Sequence, residues 1–445
     1  MKAGSNPQIV VTGAALLALA GGLMLARGTT GPLDELGWLA LGLAIIVAAA
    51  LLGGHLAAYI GQPAVMGELL AGILLGNLPG LERLHFLGAD PYLDILSRIG
   101  MLLLLFEVGL DLSVRDLLEV GPSSLLVAVI GTAASLAFGT VTAAALLPGM
   151  PVASHVFLGA AITATSVGIT ARVLKDLRAS RSGEAKTILG AAVADDVLAL
   201  VVLGAVAAWV GAGVGTTPRA TVIIALVLKT AGFIVLAIAL GTRFTPIWFR
   251  QAARLRTGGA LLAVGLCFCF LLSWAASAIG LAALVGAFAA GLVLEDSHSE
   301  IFVQRGERSL GELLQPMTTF LVPVFFVLVG FRTNLTALGH AASLTMALAL
   351  SVAAVAGKLS CALGVLDPSV NRLTVAAGMI PRGEVTLVFA ALGSALKFGQ
   401  APILDDRGYT ALVTVVIVTT LVAPPALKWS SARQAGSRGA TRPAA

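Results

Sequence analysis

The sequence has 445 residues, of which 58% are hydrophobic and only 11% are charged. Soluble globular chains carry about 25% charged residues, so this composition excludes an ordinary soluble domain and favours a polytopic, all-α membrane protein. The formal net charge is +5. Most basic residues lie in the connections between apolar segments, on the side of the membrane that these connections share. This distribution is typical of a membrane protein and argues against a nucleic-acid-binding protein.

Fourteen apolar segments are candidates for membrane-spanning helices, since crossing a bilayer takes about 20 residues. They lie near residues 9–27, 36–60, 63–77, 92–110, 121–147, 152–176, 184–211, 218–245, 258–279, 281–296, 313–331, 339–366, 370–398 and 407–428. We expect 13 or 14 to span, because the first follows Lys2 like a signal peptide. No A-x-A cleavage site follows it, so we favour a retained helix.

Basic residues in the connections predict the orientation. A cluster at the end of the sixth segment, in the connection that follows and at the start of the seventh comprises Arg172, Lys175, Arg178, Arg181 and Lys186. With the N-terminus inside, most Lys and Arg fall on the cytoplasmic side. We therefore expect a cytoplasmic C-terminus with a disordered tail over residues 429–445, in a bacterial plasma (inner) membrane.

Two stretches of sequence resemble each other at a nearly constant offset. Gly67 and Gly72 in the third segment correspond to Gly286 and Gly291 in the tenth, 219 positions later. Val108–Asp111 resembles Val329–Arg332 at an offset of 221. Seven crossings separate the two starts, so the second unit enters from the opposite face, as in inverted-repeat transporters.

This repeat suggests a division of the chain into five regions. They are N-terminal helices at 1–62, a first repeat of about five helices at 63–211, a linker with connecting helices at 212–280, a second repeat at 281–428, and the tail at 429–445.

Corresponding segments of the two repeats are predicted to be discontinuous helices that cross at mid-membrane. In the thirteenth segment, Pro381 removes a helical hydrogen bond, and Gly383 tolerates an open backbone. In the sixth, the hydroxyls of Thr163, Thr165 and Ser166 can satisfy freed backbone groups. The alternative is a proline kink with Ser/Thr helix packing.

Two adjacent carboxylates, Asp195 and Asp196, lie in the middle of an apolar segment. A charge there costs roughly 2.5–3.5 kcal/mol, which makes such residues functional candidates. Adjacent helical side chains point about 100° apart, so both can face one cavity. Because nearby carboxylates repel, one of them can take up a proton and exchange it for a cation such as sodium. A purely structural pair of hydrogen-bonded acids is the alternative.

Other charged residues also fall inside the apolar segments. Lys358 is mid-segment and needs a carboxylate partner, unless it snorkels to an interface. Arg382 and Glu384 flank the predicted break, where they can offset the partial charges of half-helix ends. Weaker candidates for the ion route are Glu68, Arg98, Glu107 and Lys229.

Little in the sequence suggests a cofactor or an enzyme. Cys267, Cys269 and Cys361 lie in apolar runs and suit membrane packing rather than a disulfide or metal site. Histidines form no H-x-x-x-H pair, and no nucleotide-binding fingerprint is present.

Four motifs resemble monovalent cation/proton antiporter family 2, which includes Kef-type potassium efflux systems and electrogenic sodium/proton antiporters. The motifs, in the family's order, are 63–76, 163–170, Ala194-Asp-Asp-Val197 and Gly378-Met-Ile-Pro-Arg-Gly-Glu-Val385. The resemblance implies a homodimer with a mobile core, Asp196 as chief ion ligand, Asp195 assisting beside the sixth-segment hydroxyls, and Lys358 paired with an aspartate. Kef-type members usually carry a C-terminal nucleotide-binding domain, which we do not expect here.

Sodium/proton exchange by alternating access is therefore the expected function. Potassium/proton exchange is the alternative within the same class. A cation channel is disfavoured because conduction needs no titrating carboxylates opposite a lysine. A sodium-coupled symporter of an organic anion would need a roomy polar cavity.

Overall fold

The computed structural model describes residues 35–79, 81–111, 121–166, 170, 174, 179, 182–211, 220–252, 259–294, 309–398 and 401–440. The predicted first segment, 9–27, lies outside these residues. Apart from one small pair of strands, the regular structure of the described chain is helical. The predicted fold class is confirmed in this part of the chain.

Eight helices of the described chain are long and apolar enough to cross a bilayer. The spanning stretches lie in α1 (Glu35–Tyr59), α5 (Pro122–Leu146), α7 (Gly183–Gly211), α8 (Ala220–Ala252), α9 (Ala260–Ala278), α11 (Leu310–Phe331), α13 (Ala341–Leu359) and α16 (Asp406–Ala440), and the one in α13 extends to Gly364. A 3-10 turn, Ser360–Gly364, continues α13.

Shorter helices complete the described structure. They are α2 (Ala64–Asn77), α3 (Phe86–Ala89) after a 3-10 turn at Glu82–His85, α4 (Pro91–Asp111), α6 (Val152–Ala161), α10 (Ala283–Val293), α12 (Leu335–Leu338), α14 (Arg372–Gly378) and α15 (Glu384–Ala395). Strands β1 (Lys397–Phe398) and β2 (Ala401–Pro402) pair antiparallel before α16.

The two predicted breaks are present. Helix α6 ends at Ala161, and residues 164–166 have no regular structure. Helix α14 ends at Gly378, and α15 begins only at Glu384, on the far side of Pro381. In the described residues, the first of these segments stops being helical, and the second is divided, at the positions that the sequence indicated.

The internal repeat is visible in reciprocal contacts: a glycine of each repeat packs against the backbone of the other repeat. Gly72 of α2 lies against the backbone of Val327 in α11, and its counterpart Gly291 of α10 lies against Phe106 in α4. A Cβ atom at either glycine would collide with the facing carbonyl oxygen. Both members of the second pair are displaced from the first by about 220 residues, so the repeats pack equivalent surfaces on each other.

The correspondence extends one helix upstream of the predicted starts at residues 63 and 281. Gly67 lies against the backbone of Gly53 in α1, and Gly286 lies against Leu272 in α9. The facing residues are again 219 positions apart. Helices α1 and α9 therefore occupy equivalent positions beside α2 and α10.

Candidate ion-binding site

The two helix breaks contact each other directly. The Ser166 amide donates to the carbonyl oxygen of Pro381 at 2.9 Å, and Thr165 Oγ1 donates to that of Met379 at 3.2 Å. Thr170 Oγ1 donates to the carbonyl of Gly378 at 2.7 Å. These bonds satisfy backbone groups that the breaks release, which a membrane interior would otherwise leave unpaired.

Arg382 is fully buried at this crossing. Its Nη1 donates to the carbonyl oxygens of Thr163 at 3.0 Å and Ala164 at 2.8 Å, just beyond the C-terminal end of α6. Its Nη2 donates to the carbonyl of Ala354 in α13 at 3.1 Å. The guanidinium thus joins the first break to a neighbouring helix and places positive charge at a negative helix end.

Glu384 begins α15 on the other side of the break. Its Oε2 accepts a 3.4 Å hydrogen bond from Ser166 Oγ. A carboxylate suits this position because helix N-termini carry partial positive charge. The two breaks are therefore joined by side chains as well as by backbone.

Asp195 and Lys358 form an ion pair inside the protein. Lys358 Nζ lies 2.6 Å from Asp195 Oδ1, and neither side chain is exposed. The same oxygen accepts a 2.6 Å hydrogen bond from Thr132 Oγ1 of α5. Helix α5 packs against both α7 and α13, which carry the two charges. The sequence left the aspartate partner of Lys358 open, and in this structure it is Asp195.

Two carboxylate oxygens of the adjacent aspartates have no hydrogen-bond partner among the described residues. They are Oδ2 of Asp195 and Oδ1 of Asp196, and both are buried. Buried polar atoms in proteins are nearly always paired, so such exceptions need a chemical explanation. Oxygens that no donor occupies can coordinate a hard cation or take up a proton.

A cavity of about 380 Å³ adjoins the crossing. Its polar lining comprises Ser166, Arg382, Glu384 and Thr420, and its apolar lining comes largely from α2, α4 and α11. Glu384 supplies the only carboxylate among the lining residues that the structure describes.

Several predicted hydroxyls are engaged by the backbone in this structure. Thr163 Oγ1 donates to the carbonyl of Ala160 at 2.8 Å, and Thr165 is bonded to Met379 as above. Ser166 is the predicted hydroxyl that lines the cavity. Among the weaker candidates, Arg98 is 54% exposed and pairs with Asp94 at 2.7 Å, away from the aspartates.

Sequence inspection missed the hydroxyls outside the motifs. Thr132 binds Asp195, and Thr419 and Thr420 bond the backbone of Arg382 at 3.2 and 3.0 Å. One signal was available for α5. Thr132 and Ser135 are three residues apart in an apolar helix, so they share a face.

Comparison with known proteins assigns the family. Residues 12–432 match the family model described as sodium/hydrogen exchanger, transmembrane. This chain belongs to the sodium/hydrogen exchanger family. It is therefore an integral membrane protein with a monovalent cation/proton antiporter fold, as the motifs predicted.

Two curated relatives and one solved structure illustrate the family relationship. The high-affinity Na⁺/H⁺ antiporter NhaS3 of Synechocystis is 34% identical over 87% of this chain and 88% of its own length. The Na⁺/H⁺-K⁺ antiporter GerN of Bacillus cereus is 33% identical over 87% and 95%. The structure of the sodium proton antiporter MjNhaP1 from Methanocaldococcus jannaschii aligns with a TM-score of 0.70 at 16% identity, covering 89% of this chain and 99% of that one. This last likeness concerns the fold alone.

Proposed function

We propose that this protein exchanges sodium for protons across the membrane by alternating access. The observation that carries the proposal is the buried Asp195–Lys358 pair beside the unpartnered oxygen of Asp196 at the crossing of two broken helices. Half-helix ends at mid-membrane are the usual site of substrate binding in transporters with inverted repeats. NhaS3 and GerN are both named Na⁺/H⁺ antiporters, which supports the same function for this chain.

Asp196 is proposed as the principal ligand of sodium and the principal proton acceptor. Its carboxylate is buried, one oxygen has no donor among the described residues, and it is not held by Lys358 as Asp195 is. Glu384 and Ser166 provide oxygen atoms at the cavity from which an ion can approach. Because sodium and protons require the same carboxylate, binding of one excludes the other.

Lys358 is proposed to take part in the exchange through Asp195. Sodium that reaches the site competes with the ammonium for Asp195, and a buried ammonium that loses its partner readily releases a proton. Release from Lys358 and Asp196 together exchanges two protons for one sodium ion. The cycle then moves one net charge, worth about 2.3 kcal/mol per 100 mV of membrane potential.

Arg382, Pro381 and the hydroxyls of Thr163 and Thr165 are proposed to maintain the crossing rather than to bind the ion. Arg382 donates its hydrogen bonds to backbone carbonyl groups and to the hydroxyl of Ser135. The two threonines donate to the backbone. These side chains therefore stabilise the non-helical backbone at the crossing and leave ion binding to the aspartates.

Transport assays in proteoliposomes test the proposal. Purified protein is reconstituted with a pH-sensitive dye inside, and sodium, lithium or potassium chloride is added with and without a clamped potential. Sodium-dependent proton release that responds to the potential is expected. Absence of proton movement with all three cations would refute exchange.

Potassium/proton exchange remains the second candidate, since the name of GerN includes potassium. The same assay separates the two by the cation concentration that gives half-maximal proton release. Sodium flux that requires an added organic anion would instead indicate a symporter.

The cellular arrangement is also proposed. The distribution of Lys and Arg supports a cytoplasmic C-terminus, and bacterial relatives support a plasma-membrane location. A homodimer follows from the family resemblance. Cysteine labelling from each side of intact cells and mass measurement in nanodiscs test these points.

A further inference from the structure

Glu68 is a carboxylate that the proposed mechanism leaves unused. It lies on α2, and its Oε2 atom is buried without a hydrogen-bond partner among the described residues. It is not among the residues that line the cavity beside Glu384. Instead it lines a separate cavity of about 580 Å³ between α1, α2 and α11. An unpaired carboxylate in such a place is costly, so a counter-charge or a proton is required.

The packing of α2 on α11 identifies what faces Glu68. Gly72 of α2 lies against Val327 of α11. Four residues further along both helices, Gly76 lies against Phe331. The two helices therefore run in the same direction at this contact. One turn back on each helix, Glu68 comes opposite Pro323, and both residues line the cavity.

Pro323 changes the chemistry of α11 at that level. Proline has no amide hydrogen, so it cannot donate to the carbonyl oxygen of Thr319 one turn earlier. Thr319 and Gln315 both line the same cavity. The residues that line the cavity thus include a carboxylate, an exposed hydroxyl and an exposed side-chain amide, and the carbonyl of Thr319 lacks its helical donor. These are hard oxygen ligands, the type that alkali and alkaline-earth cations prefer.

We propose that Glu68 forms a second monovalent cation site, with the Thr319 carbonyl and the Gln315 side-chain oxygen as further ligands. The site lies between α1, α2 and α11, and it is separate from the aspartates on α7. A cation there neutralises Glu68 and links α2 to α11. The cavity exceeds the volume of a bare ion, so water completes the coordination shell. This inference goes beyond the proposed exchange and does not depend on it.

Binding of radioactive sodium to purified protein tests the site. The measurement uses Asp196→Asn protein, which keeps the Asp195–Lys358 pair but removes the proposed transport ligand. Sodium binding is expected to persist in this background. Adding Glu68→Gln is expected to weaken it at least about tenfold, because the amide keeps the shape but not the charge. Glu312→Gln is the matched control, since Glu312 is an exposed acid on the same helix α11.

Two further variants keep the test decisive if the glutamine variant does not purify as a monodisperse protein. Pro323→Ala restores a helical donor to the Thr319 carbonyl and is expected to weaken sodium binding with Glu68 intact. Glu68→Asp keeps the charge and is expected to retain binding with lower affinity. Sodium binding in Asp196→Asn protein that Glu68→Gln or Pro323→Ala leaves unchanged would overturn the site, as would its complete absence. Transport failure in the proteoliposome assay would refute exchange without affecting this result.

Discussion

Lys358 and Asp195 form an ion pair with an Nζ–Oδ1 distance of 2.6 Å in which neither side chain is exposed. Removing one partner of a buried pair typically costs about 3–5 kcal/mol, because the other charge is left without compensation. Replacing both members of such a pair by well-packed apolar residues is often neutral or stabilising, so stability alone does not account for the pair. Its position beside Asp196 suggests that its making and breaking is part of the exchange.

Lys358→Gln tests that suggestion. Glutamine preserves much of the volume and can donate to Asp195, but it cannot carry a proton. We expect the variant either to lose exchange or to exchange ions without response to the membrane potential. Proton flux in vesicles with clamped potential is the measurement, and Lys229→Gln, which removes an exposed lysine from α8, is the control. Potential-dependent exchange at the normal rate would show that Lys358 is only a structural counter-ion.

Asp196→Asn is expected to abolish exchange while the protein remains folded. An amide neither binds a proton for transport nor offers a charged ligand to sodium. Asp195→Asn should impair exchange less or change its electrogenicity. Sodium-driven proton release and size-exclusion profiles are measured together, with Asp367→Asn in an exposed loop as the control. Full exchange by Asp196→Asn would contradict the assignment of this residue.

Thr132→Val is expected to weaken the Asp195–Lys358 pair. A hydrogen bond to a charged group contributes about 1.5–3 kcal/mol, and valine cannot donate one. The unfolding temperature and the exchange rate should both fall. Thr187→Val makes the same change at a half-buried position of α7, where the hydroxyl donates to the neutral Gly183 carbonyl. If Thr132→Val resembled this control in both assays, the hydrogen bond would have no role in the site.

Arg382→Lys is expected to lower stability and exchange despite conserving the charge. The guanidinium bonds carbonyl oxygens of the first break and of α13 at once, whereas a single ammonium does not reproduce that planar fork. Thermal unfolding and proton flux are compared with those of Arg98→Lys. This control changes a half-exposed arginine of α4 that pairs with Asp94. Normal behaviour of Arg382→Lys would indicate that charge alone suffices at the crossing.

Gly72→Ala and Gly291→Ala are expected to destabilise the protein by similar amounts. Each methyl group would meet a backbone carbonyl of the facing helix, and overpacking of this kind costs about 1–3 kcal/mol or more. Gly232→Ala is the control, because an added Cβ there meets nothing within 4 Å. Unfolding in detergent measures the effect. A tolerated change at both sites would argue against the reciprocal packing of the two repeats.

Much of the fold follows from local features of the sequence. Apolar runs of about 20 residues can be satisfied only as spanning helices, because lipid offers no partner to backbone groups. Pro381 removes a helical donor wherever the segment lies, which predicts either a kink or a break, and the matched position in the first repeat favoured the break between α14 and α15. The matched glycines indicated the repeat, since they share an offset of 219 positions.

The sequence by itself determined that this is a membrane protein with repeated halves and two aspartates inside an apolar segment, and it favoured broken helices over kinked ones. Only the tertiary structure decided that Lys358 pairs with Asp195, that Thr132 shares its oxygen, and that Glu68 faces a different cavity from Glu384. The reason is geometric. Adjacent residues point about 100° apart on a helix, so which of them meets a given partner depends on the rotation and packing of helices far apart in the chain.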